Sequence, residues 1–133
     1  MARWRGAAVD AVKMRAELSK TFRFDAAHRL PNVPAEHRCA GLHGHRYHVT
    51  VTVAGEVDER LGWVMDFGEI NEVVGPLIKR LDHCELNAVE GLDNPTSEQI
   101  AKWLWDRIKP HLPQLVAVAV AESDTSLCVY RGQ

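Results

Sequence analysis

The chain has 133 residues, 46% of them hydrophobic, with a formal charge of −2 from sixteen Lys+Arg and eighteen Asp+Glu. That is the size and apolar content of one domain with a core, and it excludes a disordered segment and a broad nucleic-acid-binding face. No apolar run approaches the ~18–20 residues of a membrane span, and three widely spaced cysteines (Cys39, Cys84, Cys128) suit a reducing cytoplasm better than a disulfide framework.

Residues 1–19, MARWRGAAVDAVKMRAELS, read as a basic, weakly amphipathic appendage. They lack the apolar stretch of a secretory signal, Asp10 and Glu17 argue against an organelle transit peptide, and Met14 is an alternative start. A single domain is expected over 20–133. Lys20 to Arg29 reads as a strand with Phe22, Phe24, Ala26 and His28 on one face. Leu30 to Leu42, with two prolines and a glycine, is a loop. Gly44 to Ala54 is a second strand, with Tyr47, Val49, Val51 and Val53 on the face of His45. After a turn over Gly55 to Gly62, Trp63 to Met65 is expected as a short strand.

Asp66 followed by Glu69 is a capping box opening a helix to about Arg80, with Phe67, Ile70, Val74, Leu77 and Leu81 at apolar spacing. Thr96 and Gln99 open a second helix that buries Ile100, Trp103, Leu104 and Ile108 and ends before Pro110. Leu115 to Glu122 is a strand with Val116, Val118, Val120 and Glu122 on one face, and Ser126 to Tyr130 is the last strand. This order predicts an α+β layer, an antiparallel sheet with two helices on one face.

His43-Gly44-His45 is the strongest chemical signal. Residues i and i+2 of a strand face the same side, and antiparallel pairing can bring His28 to the same point. Three imidazoles with an open position are a common catalytic zinc arrangement; the plainer reading is ordinary histidines of a β-hairpin. Cys39 has three readings: a fourth ligand closing a structural site, a thiolate base beside the metal, or an inert small residue. Asp82-His83 is either a proton relay or a solvated helix end. Glu122 is either a strand end emerging into water or a bidentate acceptor for a ligand with two parallel N–H groups. Cys84, Cys128, Trp103 and Trp105 are read as packing residues, and His37, His48 and His111 have no ligand-like spacing.

The motifs FDAAHRLP, CAGLHGH, LDHCELN, DNPTSE and the AES strand end together resemble the 6-pyruvoyltetrahydropterin synthase / 6-carboxytetrahydropterin synthase family, from about Lys20 to Gly132. The three-residue gap between Cys39 and His43 resembles the bacterial carboxy-forming branch. The resemblance implies a tunnelling fold whose sheets join into barrels in trimers that stack as hexamers, with active sites between subunits. It implies His28, His43 and His45 as zinc ligands, Cys39, Asp82 and His83 as the proton-transfer group, and Glu122 as the pterin anchor. The implied reaction converts dihydroneopterin triphosphate to 6-carboxytetrahydropterin with release of acetaldehyde and triphosphate, feeding queuosine-type deazapurine synthesis. A pyruvoyl-forming synthase and a non-catalytic zinc-stabilised oligomeric module are the alternatives. Cys84, directly after the Asp–His pair, departs from the family pattern.

Overall fold

The computed structural model describes residues 13–133. Most of the expected N-terminal appendage, residues 1–12, lies outside the described residues. Four strands form one antiparallel sheet in the order β1-β2-β3-β4: β1 (Arg15–His28), β2 (His43–Glu56), β3 (Leu115–Ser123) and β4 (Ser126–Tyr130). Two helices, α1 (Phe67–Leu81) and α2 (Ser97–Ile108), complete it. β1 pairs with β2 over its whole length, from Arg15↔Glu56 to His28↔His43. The strand therefore starts five residues before the expected Lys20. Ala16 and Leu18 carry only a weak apolar signal there, but they continue the inward side of an alternation that runs unbroken to His28.

Phe24, Ala26, Tyr47, Val49, Val51 and Val53 face the helices and are buried. Ile70, Val74, Ile78 and Leu81 of α1 and Ile100, Trp103, Leu104 and Ile108 of α2 meet them from above. Phe67, expected on the apolar face of α1, is exposed, because the buried stripe begins one turn later at Ile70. Asp66 caps α1 by accepting the Gly68 N–H at 2.8 Å, and Thr96 caps α2 by accepting the Gln99 N–H at 3.2 Å. Trp63–Met65 is not a strand. The Asp58 carboxylate accepts the Arg60 and Leu61 N–H groups, and Asp58 N–H donates to Trp63 O, which closes the segment into a local turn.

Two register irregularities shape β3. One lies opposite Thr52/Val53, where Thr52 pairs with Ala117 and Val53 with Leu115. It turns Val116 out of the core position expected for it and places Leu115 there, with Val116 half-buried. The second lies between Val120 and Ser123, leaving Ala121 and Glu122 together opposite Leu127 of β4. The β2 pairing continues in register through Val120 and Ala121, so Glu122 keeps the face of Val118 and Val120 that alternation predicts. Among the described residues no helix is long and apolar enough to cross a membrane.

Candidate active site

His28 ends β1 and lies opposite His43, which begins β2, and His45 follows two residues on. The three rings close on one another, with centroids 4.6 Å (His28–His43), 5.1 Å (His28–His45) and 4.9 Å (His43–His45) apart. One ligand nitrogen from each lies within 4.8 Å of the other two. The alternation of the strands brings these groups together, as the sequence spacing predicts.

Backbone carbonyls set the tautomers. The His43 Nδ1–H donates to Gly41 O at 2.7 Å. The His28 Nδ1–H faces Pro95 O at 2.8 Å, with the Tyr47 hydroxyl oxygen at 3.1 Å. Each Nε2 is thereby left with a lone pair. His28 is 1% exposed, and burial lowers its pKa and keeps it neutral. Burial also pushes the Tyr47 phenol far up, so its hydroxyl stays protonated. The Nε2 atoms of His28 and His45 are buried without a hydrogen-bond partner. Two buried imidazole nitrogens without partners, in a group whose ligand atoms lie within 4.8 Å of one another, fit a metal ion, which would satisfy both. Cys39 does not join the three histidines in that group, so the donor set is open.

Glu122 lies beside this cluster, its Oε2 3.6 Å from His45 Nε2. The Ser97 hydroxyl, in the first turn of α2, donates to Glu122 Oε1 at 2.9 Å. Ser97, Glu98, Val120, Glu122, Leu127 and Cys128 line a cavity of about 360 Å³. Ser97 was not legible as a site residue: within PTSE it reads only as the first residue of a capped helix.

Asp82 and His83 follow α1. The His83 Nδ1 lies 2.9 Å from Asp82 Oδ2. Asp82 Oδ1 accepts the Asp25 N–H at 2.9 Å, and the His83 N–H donates to Asp25 O at 2.6 Å. This clamp on the outer edge of β1 holds His83 at φ 57, a left-handed conformation that costs a non-glycine residue ~1–2 kcal/mol. The Asp25 N–H bond and His83 hold the Asp82 carboxyl below its ordinary range. His83 is 78% exposed and is not part of the His28, His43 and His45 group.

Cys39 sits on a short 3-10 turn, Arg38–Ala40, half-buried. Cys84 and Cys128 pack against the core, and burial raises both thiols, so neither is a ready nucleophile. The Cys84 thiol donates to Leu81 O at 3.1 Å. Asn87 was also missed. Its amide accepts the Arg29 N–H at 3.0 Å and donates to Arg29 O at 2.9 Å, fixing the strand end that carries His28.

A small α+β domain with a three-histidine cluster that could hold a metal, beside a half-buried carboxylate, is the framework of a metal-dependent enzyme. Residues 17–133 match the family described as 6-pyruvoyl tetrahydropterin synthase, and the chain belongs to that family. It is 40% identical over 117 residues to the 6-carboxy-5,6,7,8-tetrahydropterin synthase of Synechocystis sp., covering 84% of this chain and 89% of that one. It is 41% identical over 100 residues to the dihydroneopterin monophosphate aldolase of Pyrococcus furiosus, covering 75% and 81%. The 6-pyruvoyl tetrahydropterin synthase of Caenorhabditis elegans superposes with a TM-score of 0.84 at 26% identity, covering 92% of this chain and 100% of that structure. The tunnelling fold and the pterin-enzyme family read from the sequence are both upheld.

Proposed function

We propose that this enzyme converts 7,8-dihydroneopterin triphosphate and water to 6-carboxy-5,6,7,8-tetrahydropterin, acetaldehyde and triphosphate, in the cytoplasm, as a step toward a queuosine-type deazapurine. The observation that carries the reading is the open cluster of His28, His43 and His45 with two orphaned Nε2 atoms, in a chain similar to a 6-carboxytetrahydropterin synthase. Three imidazole nitrogens favour zinc over harder ions. Zinc, when bound, would supply Lewis acidity toward the oxygens of the substrate side chain.

The chain's own residues do the rest. Glu122, held by Ser97, accepts the two parallel N–H groups of the pterin edge and so aims the side chain at the histidines. Cys39 as thiolate takes a side-chain proton, and His83, oriented by Asp82, moves protons at the neighbouring carbon. The position of Asp82 and His83 on the outer edge of β1 favours a site completed by a second copy. Along β1, the 82–85 segment covers only the stretch from Asp25 to Ala27. Among the described residues nothing pairs with the backbone on that side between Arg15 and Arg23, which supports a trimer or hexamer with joined sheets. The open donor set disfavours a closed, non-catalytic Cys–His₃ module.

The likeness to a dihydroneopterin monophosphate aldolase supports a second reading, in which the same site cleaves the side chain of a monophosphate without eliminating phosphate. Zinc content of Cys39→Ala separates both from the non-catalytic class, in which Cys39 would be the fourth ligand and its loss would strip the metal. His43→Ala is expected to lose zinc and turnover together while retaining secondary structure. A variant with full zinc occupancy would remove His43 from the ligand set.

A further inference from the structure

His37 has no metal-ligand spacing, yet it touches the proposed base. Its Nδ1 accepts the Cys39 N–H at 3.0 Å, and its backbone is extended (φ −68, ψ 138), as a residue capping the Arg38–Ala40 turn must be. The cap is itself anchored. The His37 N–H donates to Pro34 O at 2.9 Å, and the Ala40 N–H donates to His37 O at 3.0 Å. At the other end of the residue, Cys39 O accepts the Leu30 N–H at 2.9 Å, two residues beyond His28. Cys39 is thus held at its N–H by His37 and at its C=O by the end of β1, within a loop whose sequence promises no fixed structure.

We propose that His37 is a positioning residue that fixes the orientation and exposure of the Cys39 thiol. The assignment rests on the reading of Cys39 as the base. Accepting at Nδ1 places the His37 proton on Nε2, so the imidazole acts as a neutral cap and not as an acid toward Cys39. A cap on the N2 amide is a role that Asn, Asp or Ser fills equally well, whereas Ala does not. Because His37 is exposed, its replacement leaves the core untouched.

The test compares His37→Ala and His37→Asn with the parent enzyme. Peptide-resolved alkylation of Cys39 by iodoacetamide, zinc content, kcat and KM are measured in parallel. His37→Ala is expected to raise the alkylation rate of Cys39 about fivefold and to lower kcat about tenfold. KM and zinc content should stay within about twofold, since neither the Glu122 carboxylate nor the histidine cluster is touched. His37→Asn should restore both the alkylation rate and kcat. Unchanged Cys39 alkylation in His37→Ala, or failure of His37→Asn to restore it, overturns the proposal whatever the turnover. Full activity in Cys39→Ala would instead remove Cys39 as the base, and the alkylation rates would still decide whether His37 holds it.

Discussion

Replacing Glu122 with Gln isolates the contribution of one carboxylate. The Ser97 hydroxyl already occupies a lone pair of Oε1, so a ligand's two N–H groups share the remaining acceptor capacity of the pair. In Glu122→Gln the amide oxygen can keep Ser97, but the NH₂ then faces the ligand's donors. Hydrogen bonds to a charged acceptor contribute about 1.5–3 kcal/mol each, and they are not fully additive, so the loss should be about 3–4 kcal/mol. At 1.4 kcal/mol per decade, the Kd for a pterin lacking the triphosphate should rise roughly 100- to 1,000-fold. Ser97→Ala removes one orienting bond and leaves the charge, so a loss of about 1 kcal/mol, or about fivefold, is expected. Glu122 is half-buried at a strand end, so thermal stability should barely change. Isothermal titration on the zinc-loaded protein provides the readout. Affinity in Glu122→Gln within about threefold of the parent would refute the anchor, and an effect of Ser97→Ala equal to that of Glu122→Gln would refute the division of the carboxylate.

Two further outcomes probe the scaffold. Asp82 has a carboxyl held below its ordinary value of 3.8 by the Asp25 N–H and by His83. Its contribution to stability is therefore complete above about pH 4 and is lost as the pH falls through the lower folded value. Asp82→Asn, which keeps an acceptor for Asp25 but cannot titrate, should show a shallower loss of stability below pH 4 by circular dichroism; an acid limb identical to the parent's would contradict the linkage. Gly91 has φ +88, and a Cβ there would lie 3.2 Å from the ring of Trp103. Gly91→Ala should cost about 1–2 kcal/mol and lower Tm by roughly 5 °C in calorimetry, whereas an unchanged Tm would mean that the turn relaxes freely.

Period-2 alternation made β1 and β2 legible, and with them the meeting of His28, His43 and His45, because strand geometry alone decides which side a residue faces. The Asp66 and Thr96 caps were equally plain, since short polar side chains before an apolar stripe do one job. What stayed hidden depended on long-range backbone placement. The carbonyls of Gly41 and Pro95 that set the histidine tautomers have no sequence signature. Neither does the Asp25 backbone clamp on Asp82 and His83, which holds through main-chain atoms of a residue 57 positions away. The bulge opposite Thr52/Val53 shifted Val116 out of the core, since one extra residue reverses a strict alternation, whereas Glu122 kept the face expected for it. Trp63–Met65 looked like a strand because three apolar residues in a row carry no period, and the Asp58 turn decided the matter.

The decisive measurement is the identity of the product. Zinc-loaded enzyme is incubated with 7,8-dihydroneopterin triphosphate, and the pterin is identified by mass while acetaldehyde is quantified alongside it. 6-Carboxytetrahydropterin and acetaldehyde are expected in equal amounts, with triphosphate released. A pyruvoyl-bearing pterin without acetaldehyde, or a shortened pterin formed only from the monophosphate, would contradict the proposed function.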